Sequence, residues 1–468
     1  MKILPSLLAC AGLLALSAPA RAQAPAALPG PVVFTGARLI DGTGHAPVDD
    51  ACLVVADGRI VTVGATPEGY RPPAGARVID ARGRTIIPGL ISAHSHLGLT
   101  RGPSAAAPEN YTRDNVARQL DVYEGCGVTA VMSLGTNRDA LYAWRDEQRQ
   151  GKLGGADIFT ADRGIGVPGG VPPFPLPGDQ VYRPANADEA RAAVRETAAR
   201  HPDLVKIWLD DMFGKLPKME PEVYRAAVEE AHAVADEAHR HGLRVAAHVF
   251  YLADAKALVG AGVDVLAHGV RDLPVDAELI AAMKARGVAY VPTLALDESQ
   301  FAYAGHPAWM REPVFVLAAG SQLLDTWLGP EYFRKVMTDP LLFRNKSALD
   351  TGLRNVKTLA DAGVLIAMGT DSGAMPTRVA GWAEHRELRL LVEAGLTPMQ
   401  ALVAATAGSA RVIGQEADRG TLEPGKRADF LVLEADPLAD IGATLRIETV
   451  WHGGRPVVPL TKRPVAGE

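Results

Sequence analysis

From residue 31 the chain alternates apolar and polar positions in short runs, at 32–35, 52–55, 59–63 and 77–80. A period of two marks a strand with one buried face. Asp57-Gly58 falls between two of these runs, where a two-residue hairpin needs positions that accept positive φ. The same texture returns near the other end, at 428–433 and 448–452, with Gly453-Gly454 as a turn. Neither half is large enough to bury a good core alone. The pattern therefore predicts one β-sandwich built from both termini, residues 31–84 and 417–468, with the rest of the chain inserted between them.

The middle of the chain has a different rhythm. Mostly apolar runs with β-branched residues fall at 85–96, 128–134, 156–161, 204–209, 243–248, 263–268, 288–293 and 364–371. Such runs are the mark of strands buried on both faces of a parallel sheet. Six of the seven intervals between them hold a plausible helix, one around 114–124 and the clearest at 189–201 and 221–241. Eight βα units in succession predict an α/β fold, a (β/α)8 TIM barrel over residues 85–416. Two intervals are rich in loop. Residues 164–178 are dense in Gly and Pro, and residues 295–350 carry Phe301, Tyr303, Trp309, Phe315, Trp327, Tyr332 and Phe333. Both follow strands and so fall at the carboxyl face, where they either cover a substrate or, for the aromatics, pack the insertion's own core.

Composition narrows the partners. The chain has 468 residues and a formal net charge of −6, so nothing recommends nucleic acid. A homo-oligomer stays open. Lys2, an apolar stretch over 3–16 and Ala20-Arg21-Ala22 read as a secretory signal peptide over residues 1–22, followed by an Ala/Pro linker over 23–30. Leu7-Leu8-Ala9-Cys10 resembles a lipidation box, but too few apolar residues precede Cys10. The expected location is therefore exported, periplasmic or secreted, with no stable membrane span after cleavage. Cys52 and Cys126 remain, and no disulfide is expected between them.

Polar residues sit at or near the ends of the apolar runs. His94 and His96 end the first; on a strand both project to one side, with Ser95 turned away. Lys206 lies in the fourth, His248 ends the fifth, His268 the sixth and Asp371 the eighth. Together they would point into one mouth. Imidazole and carboxylate suit zinc or a similar divalent ion. A lysine ammonium beside such an ion would be repelled unless carbon dioxide converted its amine to a carbamate. The plainer reading is a lysine paired with Asp210 or Asp211.

These motifs resemble the amidohydrolase superfamily, in its imidazolonepropionase-like and Xaa-Pro dipeptidase-like branch. The likeness is carried by Pro88-Gly89-Leu90-Ile91 leading to His94-Ser95-His96, by Val205-Lys206-Ile207, Ala247-His248, Ala267-His268-Gly269 and Gly369-Thr370-Asp371, and by the stretch 420–429. The resemblance implies two divalent metal ions, zinc above all. His94, His96 and Asp371 would hold one, His248 and His268 the other, and carboxylated Lys206 both. It implies attack by metal-activated hydroxide on an amide bond, with Asp371 as general base and then acid. An Xaa-Pro dipeptide or an N-acyl amino acid is the expected small-molecule substrate. Arg163, just past the third strand, and Tyr251, just past the fifth, are candidates to bind it. The alternatives are a cyclic amide or lactone hydrolase with a single metal and, further off, a non-catalytic scaffold.

Overall fold

The computed structural model describes residues 30–234 and 242–464. The expected signal peptide, the linker up to residue 29 and the end of the helix expected at 221–241 lie outside the described residues. In chain order the strands are β1 (Val32–Leu39), β2 (Val48–Ala56), β3 (Arg59–Ala65), β4 (Arg77–Asp80), β5 (Thr85–Pro88), β6 (Leu90–Ser95), β7 (Val128–Ser133), β8 (Asp157–Thr160), β9 (Val205–Trp208), β10 (Val245–His248), β11 (Val265–Ala267), β12 (Ala289–Val291), β13 (Phe430–Leu433), β14 (Ile447–His452) and β15 (Arg455–Val457).

The two ends of the chain do meet. They form one mixed sheet, β15-β14-β13-β5-β1-β2-β3, with β4 on β1, in place of two sheets drawn face to face. Asp57 and Gly58 take φ of 51° and 77°, so β2 and β3 join through a turn positive at both central residues, the geometry that matches strand twist. Gly453 and Gly454 do the same between β14 and β15. An isolated bridge from Arg59 to Arg427 ties the start of β3 to the segment entering β13. Phe34, Phe430 and Trp451 fill the enclosed core, Phe430 stacked on Trp451 at 5.4 Å.

The run at 85–96 divides at Gly89. Its first half is β5, antiparallel to β13 and parallel to β1 in the terminal sheet. Its second half is β6, parallel to β7. A Cβ at position 89 would meet the Thr129 side chain at 2.5 Å, so only glycine lets the strand pass there.

The inserted region is α/β. One parallel sheet runs β6-β7-β8 and another β12-β11-β10-β9, and every interval between consecutive strands contains a helix. The stretch expected as an eighth strand, 364–371, forms no ladder. It carries isolated bonds on both sides: Tyr290 N–H to Leu365 O at 2.8 Å, and Ala93 N–H to Met368 O at 2.8 Å. Ile165, past β8, is bridged to Ile207 of β9. Side-chain caps fix several helix starts, as Thr112, Asn186 and Asp276 accept backbone N–H groups three residues on. In the long insertion Tyr303 stacks on Trp327 at 4.3 Å, with Phe315 and Trp382 against them, so these aromatics build a core of their own. Cys52 and Cys126 are free and buried. No helix among the described residues is long and apolar enough to cross a membrane.

Candidate metal centre

His94 lies in β6 and His96 one residue past its end, and Asp371 sits on the neighbouring segment. Alternation along the strand sends both rings the same way. His94 Nε2 is 3.3 Å and His96 Nε2 2.8 Å from Asp371 Oδ1. Ser95 faces away and hydrogen-bonds Ser92 at 2.7 Å. The His268 ring lies 4.5 Å from the rings of both His94 and His248. Lys206, fully buried in β9, is close enough to shift the charge balance of His94 and His248 and to feel Asp371. All six residues singled out for a metal are thus brought together.

The surroundings orient these groups. His248 Nε2 donates to Asp210 Oδ2 at 2.9 Å, leaving the Nδ1 lone pair for a ligand. His268 Nδ1 bonds Thr293 Oγ1 at 2.7 Å, and His96 Nδ1 bonds Thr136 Oγ1 at 3.1 Å, leaving Nε2 on each. A carboxylate only accepts, so Asp210 sets the tautomer of His248, while the threonine hydroxyls orient the His268 and His96 rings. Asp371 has φ of 56°, a conformation that costs a non-glycine residue about 1 kcal/mol or more unless its neighbours enforce it. Glu384 is the enforcer. Its carboxylate accepts from Ser92 at 3.0 Å, Thr370 at 2.7 Å, Ser372 at 2.8 Å and the Gly381 N–H at 2.9 Å. Three residues along the same helix, Glu387 accepts from the Leu294 and Ala295 N–H groups, just past Thr293 with its φ of 50°.

The electrostatics suit a cation. Burial pulls His94 down to about 3, with Lys206 adding to it. Burial pulls down His248 against the opposing pull of Asp210, and His268 falls well below its ordinary value. Burial would raise Asp371, but the Arg378 guanidinium in contact with it and the two histidines hold its carboxyl well below the carboxylate range. Burial also lowers Lys206 to about 7 against the opposing pull of Asp371. Its amine donates to the Ala267 carbonyl at 3.1 Å and has no carboxylate within ion-pair distance among the described residues. Asp210 and Asp211, its suggested partners, are taken by His248 and Tyr251. His94, His96 and Asp371 offer ligand atoms within 4.8 Å of one another, and His94 Nδ1 has no hydrogen-bond partner. Clustered imidazoles, an anionic carboxylate and a buried amine whose charged form burial disfavours fit a divalent ion, and the amine fits carboxylation. Asp157, Asp429 and His452 also cluster within 4.8 Å, but Arg419 and Arg427 lie among them, which disfavours a cation.

The two substrate candidates fare differently. Arg163 is held by Asp139 at 2.9 Å and Glu196 at 3.3 Å, over the Tyr182 ring; it makes no contact with the histidines among the described residues. Tyr251 donates to Asp211 at 3.0 Å, beside the residue that holds His248. Sequence reading missed Arg378, Thr293, Glu384 and Glu387, and the contact of Asp210 with His248. The one local signal was an acidic pair three apart on a helix, which is ordinarily a solvated face.

Ochratoxinase from Aspergillus niger is 26% identical over 460 residues, covering 91% of this chain and 86% of that protein. Imidazolonepropionase from Deinococcus deserti is 25% identical over 446 residues, covering 91% and 96%. The fold resembles the crystal structure of a Xaa-Pro dipeptidase with bound methionine in the active site, with a TM-score of 0.71 and 24% identity, over 92% of this chain and 100% of that one. The amidohydrolase family matches residues 85–457, and the chain belongs to that family.

Proposed function

We propose that the protein hydrolyses an amide bond of a small substrate, an N-acyl amino acid or an Xaa-Pro dipeptide, in a metal-dependent reaction. The carrying observation is the convergence of four histidines, Lys206 and Asp371 in one buried cluster, with Asp371 kept anionic. His94, His96 and Asp371 would hold one ion and His248 and His268 the second. Lys206 would reach both as its carbamate, formed when the neutral amine adds to carbon dioxide and loses a proton. Bound divalent ions, zinc by the donor set, supply Lewis acidity toward the scissile carbonyl and toward a water molecule.

The chain's own groups do the rest. Asp371 takes the proton of the attacking water and later returns one to the departing amine nitrogen. Its strained backbone, held through Glu384, aims the carboxylate. Asp210 keeps His248 in one tautomer and Thr293 orients the His268 ring. Burial of His94, at 1% exposure, keeps stray water out.

A one-metal site acting on a cyclic amide or lactone draws support from the compactness of the His94, His96 and Asp371 set alone. We also infer that the two parallel sheets and the 364–371 stretch are the staves of a (β/α)8 barrel, with the termini forming a β-sandwich-like module. Bonds flanking residues 93, 165, 290 and 368 support the first part. Export by cleavage after Ala22 would expose the enzyme to extracytoplasmic substrates, and a mature protein whose measured mass starts at Gln23 is the expected result. The function itself is tested with a panel of N-acyl amino acids and Xaa-Pro dipeptides. Hydrolysis should vanish with a chelator and return with zinc; no cleavage of any panel member by metal-replete protein would contradict the reading.

A further inference from the structure

A groove open to solvent lies beside the metal centre. Its walls come from separate parts of the chain. The helix Arg113–Gly125 supplies Arg118 and Val122, and the insertion supplies Ala319 and Leu323. The loop after Asp371 supplies Arg378 and Val379. Arg378 joins the groove to the site, because its guanidinium touches the Asp371 carboxylate.

Charge is one-sided there. Two arginines line the groove and no acidic side chain does. Arg378 is spoken for by Asp371. Arg118 is not: its guanidinium donates to the neutral Asn115 amide at 2.6 Å, and no carboxylate lies within ion-pair distance of it among the described residues. Its charged neighbour is a further cation, Arg101. An exposed guanidinium without a carboxylate partner, beside an apolar wall, is what a ligand with an apolar body and a carboxylate would complete.

We propose that this groove binds the carboxylate-bearing, apolar amino-acid half of the substrate, with Arg118 as its anion partner. The proposal rests on the hydrolase reading and deepens it by making Arg118 a specificity residue. Arg163, with two carboxylates of its own, is then free of that duty.

The test compares N-acetyl-leucine with its neutral counterpart N-acetyl-leucinamide on metal-replete, full-length protein. Wild type should prefer the acid. Arg118→Met should lower that preference roughly 10- to 100-fold, through KM, as expected for one lost hydrogen bond to a charged group. Arg118→Lys should recover part of it. Calorimetric binding of N-acetyl-leucine to Asp371→Asn separates the two ideas. Binding that needs Arg118, in a protein whose wild type hydrolyses nothing, would sink the hydrolase reading and keep the groove. Turnover with an unchanged acid-to-amide ratio in Arg118→Met, or binding of the acid that is indifferent to Arg118, would overturn the groove.

Discussion

Asp371 is the residue whose chemistry is most sharply set by its surroundings. It is buried at 5% exposure, faces two histidines and touches an arginine. Asp371→Asn keeps the size and the hydrogen-bonding reach but cannot accept a proton from water. Turnover should fall by about 10² to 10⁴ while the circular dichroism spectrum stays that of the wild type. Asp210→Asn should act through His248, weakening metal affinity by about 10- to 100-fold, measured by competition with a chromogenic chelator; unchanged affinity would remove Asp210 from the site. At this scale the sequence was readable where side chains end strands, because a period of two fixes which way His94 and His96 point. It was unreadable where partners are distant. Asp210 reaches His248 across 38 positions, and no pattern of apolar residues encodes that contact. Arg378 is only seven residues from Asp371, yet a loop arginine looks like any solvated one until burial is known.

Among the elements, the helix Trp382–Glu393 carries the most. Glu384 braces the Asp371 side of the centre and Glu387 the His268 side. His385 on the same helix bonds the Cys126 carbonyl at 2.7 Å. Glu384→Ala leaves three hydroxyls and one N–H without their partner, each costing about 1–3 kcal/mol when a buried group goes unpaired. The expected loss is about 3 kcal/mol or more in urea unfolding, with weaker metal binding alongside. A loss below about 1 kcal/mol would mean that those groups find other partners. Strand and helix order was legible because buried parallel strands and amphipathic intervals differ in period. The split of residues 85–96 was not, because β5 and β6 are equally apolar and only the contact between Gly89 and Thr129 marks where one sheet ends. The stretch 364–371 reads as a strand by composition, but its bonds to both neighbours are too irregular to make a ladder.

On the scale of the whole molecule, one ionic cluster fastens the terminal sheet to the catalytic region. His452 of β14 meets Glu124 at 2.6 Å and Asp157 of β8 at 3.4 Å, while Arg427 bonds Asp429 at 3.0 Å. Burial lowers the His452 pKa, but Asp157, Asp429 and Glu124 outweigh it and raise it to about 10. The folded chain therefore holds this proton more tightly than the unfolded one. The stability it supplies is complete below the ordinary value of 6.5 and is lost as pH rises through about 10. His452→Gln should be less stable than wild type at pH 7, with the gap closing toward pH 10 in urea midpoints; a gap independent of pH would contradict the charged cluster. The meeting of the two termini could be read from matching strand textures, whereas the cluster that seals it joins positions more than 300 apart. The central claim, six side chains around metal at one mouth, is tested most directly by adding zinc to metal-free protein while recording bound metal and amide hydrolysis together. Wild type should gain activity up to two ions per chain. Lys206→Ala should stop at one ion with little turnover, partly restored by a short-chain carboxylic acid. Full turnover without metal, or two ions and full rate in Lys206→Ala, would contradict it.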